Sequence, residues 1–395
     1  MGRDTPLIRE APTPTLSNSS FGKHTSHTVS TTTTSLTEQD ADWIVRRTEL
    51  RVTQVIAKSI YIQEHCRLGE LPCFCHEDLN VGPLIARGGF SNVHRIESFN
   101  VTTDLADDPS KSYVIKHLNP KLASEPRKMA VGAKDLVMEA HFLSSLNHKN
   151  IIALQGICSA GVAGYAETGR ADGFFLLFDE LPATLSTRMS RWRQIESAES
   201  KNSSSSSSRS LFNFTKKFQS SSKINAFAER LSVAHEIASA VTYLHSHNIL
   251  YRDLKPGNCG FDRDEVLKIF DFGLAVELPH SEDPGQLYNL AGNTGTARYM
   301  APEIIQNRPY NLKADVFSFT TLLWEILALQ KPFPELSGPE VKEWISDFGN
   351  RPIINKHWPA TVRKLMKDGW QVNIDSRPTM REVQVTLAAA SAKLS

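Results

Sequence analysis

The spacing of apolar residues changes part-way along the chain. Between residues 78 and 181, short β-type runs surround one stretch of helical periodicity, AKDLVMEAHFLSSLNH. From residue 226 onward the spacing is mainly helical, as in AERLSVAHEIASAVTYLHSH, ADVFSFTTLLWEILAL and MREVQVTLAAASAKL. The pattern predicts an α+β chain in which a small β-rich lobe with one main helix precedes a larger α-helical lobe. We expect the ligand site in the cleft between them.

Three further segments lie outside this pattern. Residues 1–39 are rich in Ser, Thr and Pro and lack aliphatic periodicity, which predicts a disordered tail. Residues 40–77 form a predicted helical extension, which either packs on the following domain or binds a partner. The serine-rich run 196–225 predicts a solvated insertion or a hinge within a domain. Its interior, LFNFTKKF, is either a spacer, a docking element or a segment controlled by phosphorylation.

Composition narrows the class of protein. The chain has 395 residues, of which 40% are hydrophobic and 22% charged, as in ordinary globular proteins. A net charge of +1 gives no support for binding nucleic acid or an anionic membrane through a global field. No run approaches the roughly 18 apolar residues of a membrane span, and MGRDTPLIRE lacks the apolar region of a secretory signal. We expect a protein of the cytoplasm, with the nucleus as the alternative.

The five cysteines are odd in number and irregularly spaced, which favours reduced thiols over a disulfide framework. One cluster, HCRLGELPCFCH, contains residue types that bind zinc: His65, Cys66, Cys73, Cys75 and His76. Its C-x-C spacing is not the usual C-x-x-C, and no second pair follows. Free thiols near a domain edge are therefore favoured over a zinc site.

The stretch LIARGGFSNVHRI, residues 84–96, is rich in glycine at its centre. By itself it is either a loop that holds nucleotide phosphates or a turn between two strands. Lys116 follows it on a predicted strand, YVIKHL, where a buried ammonium group would need a charge partner. Glu139, on the predicted helix of the small lobe, is the residue that can supply that charge.

Two later motifs carry groups suited to phosphoryl transfer. In ILYRDLKPGN, Asp253 can accept a hydrogen bond from a substrate hydroxyl, Lys255 can neutralise phosphate charge, and Asn258 offers a carbonyl oxygen to Mg²⁺. In KIFDFGLA, Asp271 follows a short β-run and can bind the same cation. Either aspartate alone would be read as a turn or cap residue. The order of the whole set favours the functional interpretation.

From about residue 78 to its end, the chain resembles a eukaryotic protein kinase of the serine/threonine type. The resemblance implies a bilobal protein kinase fold, with an N-lobe over 78–181 and a C-lobe over 182–395. It implies ATP and Mg²⁺ as cofactors, Asp253 and Lys255 as catalytic residues, and Asn258 and Asp271 as metal ligands. The ATP-binding positions that it implies are Ala86, Gly88, Ser91, Val93, Val114, Lys116, Glu139, Asp179, Leu181 and Gly260.

The resemblance extends to the activation segment, which runs from Asp271 to Glu303 and ends with TARYMAPE. Glu303 would pair with Arg377, and Asp315 would support the catalytic loop from below. Thr296 would contact the catalytic Asp and Lys, as in serine/threonine kinases. Arg252 would be neutralised by a phosphate on the segment. Candidate sites for that phosphate are Ser281, Tyr288 and Thr294.

The run from ADVFSF onward resembles the tyrosine-kinase-like group of serine/threonine kinases. The chain also departs from the family pattern. Ala86 and Ser91 stand where the family has glycines, so a backbone with positive φ would be uncomfortable there. Gly260 replaces a larger apolar residue, which weakens adenine packing by roughly 1 to 2 kcal/mol if nothing fills the space. Phe178 occupies the gatekeeper position at the rear of the pocket.

The leading hypothesis is an active kinase that phosphorylates Ser or Thr of protein substrates and is itself controlled by an upstream kinase. The alternative is a nucleotide-binding pseudokinase that acts as a scaffold or allosteric partner.

Overall fold

The computed structural model describes residues 35–108, 110–203, 209–283 and 285–393, without the side chains of residues 199–224. Residues 1–34 of the predicted tail, 1–39, therefore lie outside the described residues. The rest of the predicted tail is ordered, because Leu36 is buried and a helix begins at Glu38. The chain begins with two helices, α1 (Glu38–Ile56) and α2 (Ile60–His65). The Thr37 side chain accepts a hydrogen bond from the backbone N–H of Asp40, and Ser59 accepts one from Ile62. These caps satisfy N–H groups that a helix leaves unpaired at its start.

A six-stranded sheet forms the N-lobe in the order β1-β5-β6-β4-β3-β2. Its first pair, β1 and β5, is parallel, and the other neighbours are antiparallel. The strands are β1 (Cys73–Phe74), β2 (Leu79–Arg87), β3 (Ser91–Phe99), β4 (Tyr113–Leu118), β5 (Leu154–Cys158) and β6 (Phe175–Asp179). Helix α3 (Pro126–Ser145) packs on β4 and β5, and a short helix α4 (Gly164–Thr168) precedes β6.

Helices make up most of the C-lobe. They are α5 (Leu185–Ser203), α6 (Arg209–Ser246), α7 (Pro302–Ile305), α8 (Lys313–Ala328), α9 (Gly338–Ser346), α10 (Ala360–Gly369) and α11 (Met380–Ala392). Every residue of α8 from Ala314 to Leu327 is buried, because the helix is apolar on nearly all sides and other helices surround it.

The C-lobe also contains short strands. They are β7 (Ala183–Thr184), β8 (Ile249–Leu250), β9 (Cys259–Phe261), β10 (Leu267–Ile269) and β11 (Val276–Glu277). They pair antiparallel as β10-β9-β7 and as β11-β8. The bilobal α+β architecture expected from the sequence is the one observed.

The serine-rich run, predicted as a solvated insertion over 196–225, lies largely in helices, and the exposure of its side chains between 199 and 224 stays a prediction. Helix α5 continues through residue 203 and α6 begins at Arg209, so that residues 204–208 are the part outside the described residues. Extending a helix from a packed flank adds one hydrogen bond per residue at little cost, and serine tolerates a helix reasonably well. Composition alone does not predict that the neighbouring helices continue into this run.

The zinc-ligand types of residues 65–76 are not assembled into a metal site. Across the described residues, no group of three or more His, Cys, Asp or Glu side chains is placed to hold a metal ion. All five cysteines are free thiols, and the Sγ atom of Cys66 lies 3.5 Å from Nδ1 of His141 and 3.3 Å from Oγ of Ser144 on α3. Within the same described ranges, no helix has the length and apolar character that crossing a bilayer requires.

Candidate active site

The glycine-rich stretch is the hairpin between β2 and β3. Ala86 pairs with Val93, and the Gly88 N–H donates to the Ser91 carbonyl at 2.7 Å to close the turn. Neither Ala86 nor Ser91 has a positive φ, and neither does Gly88. The expectation of a strained, positive-φ backbone at these two positions is therefore wrong. Ala86 and Ser91 belong to the strands and adopt ordinary extended geometry.

The tip of the hairpin rests on helix α3. The Phe90 carbonyl accepts a hydrogen bond from the Asn119 N–H at 2.8 Å. A Cβ atom on Gly132 of α3 would lie 3.1 Å from Cδ1 of Phe90 and 3.0 Å from Cδ2 of Leu118. The missing side chain of Gly132 therefore allows the hairpin to approach the helix closely.

Lys116 lies on β4 between β3 and β6, and its ammonium group contacts two carboxylates. Its Nζ is 2.6 Å from Oε2 of Glu139 and 2.9 Å from Oδ1 of Asp271. Burial alone lowers the pKa of Lys116, but the two carboxylates outweigh it and the pKa is raised. The charge of Lys116 holds the pKa of Asp271 below its usual value. Lys116 is thus a fixed cation on the strand next to the hairpin.

The catalytic loop, Tyr251 to Asn258, follows β8 and is supported by Asp315. The carboxylate of Asp315 accepts the N–H of Tyr251 at 2.7 Å and that of Arg252 at 2.9 Å. Arg252 has a φ of 71°, a left-handed conformation that costs a non-glycine residue about 1 to 3 kcal/mol unless its surroundings enforce it. Its Nε donates to the Leu274 carbonyl at 2.6 Å. These bonds hold the loop in a conformation that it would not adopt alone.

Asp253, the predicted base, is the centre of a hydrogen-bond network. Its Oδ1 accepts the hydroxyl of Thr296 at 2.7 Å. Its Oδ2 accepts Nζ of Lys255 at 2.6 Å and Nδ2 of Asn258 at 3.0 Å. Lys255 also donates to the Thr296 hydroxyl at 3.1 Å. The carboxylate is consequently oriented from three sides.

Asn258 and Asp271 have the donor atoms expected of a magnesium site. The amide nitrogen of Asn258 is engaged by Asp253, so its carbonyl oxygen is the atom that can coordinate a cation. Asp271 has a φ of 70°, and 44% of its side chain is exposed although Lys116 contacts one of its oxygens. A carboxylate and an amide oxygen suit a hard cation such as Mg²⁺.

A cavity of about 490 Å³ joins these groups. The sequence-predicted residues that line it are Ala86, Gly88, Ser91, Val93, Lys116, Glu139, Asp253, Lys255, Asn258 and Asp271. Four predicted ATP-binding residues lie outside that lining: Val114, Asp179, Leu181 and Gly260. Val114 pairs with Phe178 between β4 and β6, and the Asp179 carboxylate accepts Nε2 of Gln155 at 2.9 Å.

The space beside Gly260 is filled by another residue. A Cβ atom on Gly260 would lie 2.8 Å from Cδ1 of Leu181 and 3.1 Å from the carbonyl oxygen of Ala183. The predicted loss of adenine packing assumed that nothing fills this space, and Leu181 does so. The pseudokinase alternative rests on two departures from the family pattern, the replaced glycines of the hairpin and Gly260, and Leu181 fills the space left by the second.

The activation segment ends on a buried ion pair. Arg377 donates to both carboxylate oxygens of Glu303, at 2.6 and 2.8 Å, and both side chains are almost inaccessible. Thr294, nearer the catalytic loop, donates to the Ala291 carbonyl at 3.1 Å. Tyr288 donates to the Pro279 carbonyl at 2.7 Å, and Ser281 accepts the Asp283 N–H at 3.1 Å.

Sequence reasoning missed Gly295. Its φ is 103°, and a Cβ atom there would lie 2.3 Å from the carbonyl oxygen of Arg252. Only glycine fits, and this close approach brings the next residue, Thr296, onto Asp253. The signal was available as the glycine in the TGT sequence before TARYMAPE.

Comparison with known proteins identifies the family. The family model described as protein tyrosine and serine/threonine kinase matches residues 79–387. The chain belongs to this kinase family. The kinase match begins after α1 and α2 and includes every residue assigned above to the cavity.

Three relatives illustrate the range of similarity to this kinase. Dual specificity protein kinase shkB of Dictyostelium discoideum is 39% identical over 160 residues, which cover 40% of the chain and 24% of the relative. Mitogen-activated protein kinase kinase kinase zak-1 of Caenorhabditis elegans is 30% identical over 317 residues, which cover 79% of the chain and 35% of the relative. Mitogen-activated protein kinase kinase kinase 7 of Homo sapiens is 28% identical over 316 residues, which cover 78% of the chain and 41% of the relative. The chain spans less than half the length of these relatives.

Proposed function

We propose that the chain is a serine/threonine protein kinase that transfers the γ-phosphoryl group of Mg-ATP to hydroxyl groups of protein substrates. The observation that carries the proposal is the meeting of two charge clusters in one cavity. Lys116 contacts Glu139 and Asp271 on one side, and Asp253 is held by Lys255 and Thr296 on the other. Such a cavity can hold a polyphosphate and a hydroxyl group in reacting positions.

Each group of the cavity has a role in this reaction. Lys116, oriented by Glu139, binds anionic phosphate oxygens. Asp253 accepts the proton of the attacking hydroxyl, and Lys255 neutralises charge on the transferring phosphoryl oxygens. Asn258 and Asp271 would hold Mg²⁺, which supplies charge neutralisation between the phosphates when bound.

Specificity and control form the finer part of the proposal. The contact between Lys255 and Thr296, 3.1 Å long, supports a preference for Ser and Thr hydroxyls, because the resemblance associates this pair with serine/threonine kinases. The relatives named mitogen-activated protein kinase kinase kinases support other protein kinases as substrates and an upstream kinase as activator. We infer control by phosphorylation at Ser281, Tyr288 or Thr294, with Arg252 as the phosphate partner.

The test is transfer of labelled phosphate from ATP to a general protein substrate by the purified chain. Asp253→Asn removes the proton acceptor and is expected to lower kcat by about 10² to 10⁴-fold while Mg-ATP binding persists. Thr386→Ala, which removes an exposed hydroxyl on α11, is the matched control and should retain full activity. Phosphoamino-acid analysis of the product should give phosphoserine and phosphothreonine.

Two outcomes contradict the proposal. Equal transfer by the unaltered chain and Asp253→Asn would mean that Asp253 is not the base. Stabilisation by Mg-ATP without any transfer would favour the scaffold alternative. Mapping of phosphosites after incubation with ATP tests the inferred control sites in the same sample.

A further inference from the structure

The N-terminal helices contact the part of the N-lobe that carries Glu139. Helix α1 packs along α3, and its buried residues Ala41, Ile44, Thr48 and Val52 recur at helical intervals. Helix α2 also contacts α3. We call residues 36–66 the N-terminal brace. The brace lies before residue 79, where the family match begins, and so it is additional to the matched kinase domain.

The turn into α2 binds the first strand of the activation segment. The hydroxyl of Ser59 donates to the carboxylate of Glu277, and the Tyr61 N–H lies 3.2 and 3.1 Å from its two oxygens. Glu277 is the last residue of β11, which pairs with β8 just before the catalytic loop. A single carboxylate therefore joins the brace to the strand that begins the activation segment.

The side chain of Tyr61 makes a second connection. Its hydroxyl donates to the carbonyl of Ser145, the last residue of α3, at 3.1 Å. The same hydroxyl lies 3.2 Å from that of Tyr243 on α6, which accepts the Asn147 N–H at 3.1 Å. Tyr61 is buried. The end of α3 is thereby attached to the C-lobe through the phenols of Tyr61, which is buried, and Tyr243, which is partly buried.

These two connections act on the geometry of the active site. Glu139 reaches Lys116 only while α3 keeps its position, and Asp271 precedes β11 by a few residues. We propose that Ser59, Tyr61 and Glu277 are positioning residues of the phosphoryl-transfer reaction. They hold α3 and β11 against the C-lobe, so that Glu139, Lys116 and Asp271 remain in contact. This inference rests on the proposed kinase function.

The test uses Glu277→Gln, Tyr61→Phe and Ser59→Ala in the full chain. Gln keeps the size of Glu277 but removes the charge that the Ser59 hydroxyl and the Tyr61 N–H contact, and Phe removes only the hydroxyl of Tyr61. We expect kcat to fall roughly tenfold in Glu277→Gln and in Tyr61→Phe, the scale of a typical coupling between sites. The KM for ATP should rise as well, because Lys116 binds the phosphate oxygens of ATP. The KM for the protein substrate, whose hydroxyl meets Asp253, should stay within about twofold.

Pair coupling tests whether Ser59 acts through Glu277. The double variant Ser59→Ala/Glu277→Gln should lose no more activity than Glu277→Gln alone, because both changes remove one interaction. The control for stability is Thr321→Val, which removes the hydroxyl that accepts Nε1 of Trp370, within the C-lobe. It should lower the melting temperature and leave kcat unchanged.

The outcomes separate this inference from the proposed function. Unchanged kcat in all three variants, or an equal fall in Thr321→Val at matched loss of stability, overturns the inference. If the unaltered chain transfers no phosphate, the proposed function fails. Amide hydrogen exchange then tests whether the N-terminal brace holds α3 and β11 in place. Faster exchange over α3 and β11 in Glu277→Gln than in Thr321→Val then supports the connection, and equal exchange overturns it.

Discussion

Leu181 and Gly260 share one space at the end of the cleft: the leucine side chain occupies the position into which a side chain on Gly260 would extend. The two Cβ-based distances, 2.8 Å to Leu181 and 3.1 Å to the Ala183 carbonyl, leave no room for both side chains. The apolar side chain that the resemblance expects at position 260 is therefore replaced by that of Leu181, which lies beside it.

This arrangement predicts that the effects of substitutions at Leu181 and Gly260 on Mg-ATP binding depend on each other. Leu181→Ala is expected to weaken Mg-ATP binding by about 1 to 2 kcal/mol, because buried methyl groups are removed. Gly260→Leu should also weaken it, because the new side chain meets Leu181. The double variant Leu181→Ala/Gly260→Leu should lose less free energy of Mg-ATP binding than the sum of the two single losses. Titration calorimetry measures all three, and strictly additive losses would contradict the shared-space interpretation.

Gly295 is expected to be irreplaceable. Gly295→Ala forces a Cβ atom against the Arg252 carbonyl at a φ of 103°, which should cost about 1 to 3 kcal/mol of unfolding free energy. Displacement of Thr296 from Asp253 should lower kcat at least tenfold, since one conformational restraint on the base is lost. Gly338→Ala is the control, because a Cβ atom there meets nothing within 4 Å. Equal kcat in the two variants would contradict the prediction.

The ion pair between Arg377 and Glu303 predicts an asymmetry in stability. Arg377→Met leaves Glu303 buried without its partner and should lower the free energy of unfolding by about 3 to 5 kcal/mol. Adding Glu303→Gln removes the unpaired charge and should recover part of that loss. Urea denaturation measures both, and a double variant less stable than Arg377→Met would contradict this account.

Cys66 is expected to react with alkylating agents at neutral pH. Burial raises the pKa of its thiol, but hydrogen bonds with His141 and Ser144 and with the backbone at Leu68 outweigh this and lower the pKa to about 7. Because the thiolate is the reactive form, modification should rise as the pH increases through about 7. Iodoacetamide pulses read by mass spectrometry measure this.

The internal comparison for Cys66 is Cys259, which is fully buried and whose pKa is raised to about 12. It should stay unmodified in the native chain. His141→Phe removes one hydrogen bond and should shift the Cys66 midpoint toward the ordinary thiol value near 9.0. A midpoint unchanged in that variant would mean that His141 is not responsible.

The bilobal fold and the central active-site contacts followed from local sequence. Lys116, Asp253 and Asn258 stand in short runs whose neighbours set the backbone, so each motif predicts its own geometry. Strand β5, LQGIC, was missed because it is short, contains Gly156 and lacks clear alternation. Its position depends on pairing with β6 rather than on its own residues.

Contacts between residues far apart in sequence were not predictable. Ser59 and Glu277 are separated by 218 positions, and neither belongs to a motif. Leu181 was named as an ATP-binding residue, but its packing on Gly260 appears only when two strands of the C-lobe meet. Such relationships depend on tertiary packing, which a single sequence does not encode in any local pattern.

The network around Asp253 also limits how a substrate can approach. A carboxylate offers about four lone-pair positions, and donors among the described residues occupy three of them, from Thr296, Lys255 and Asn258. One acceptor position remains for an incoming hydroxyl. The stereochemistry of attack is therefore set before any substrate arrives, and a hydroxyl that enters from another direction meets an aspartate with no lone pair left to take its proton.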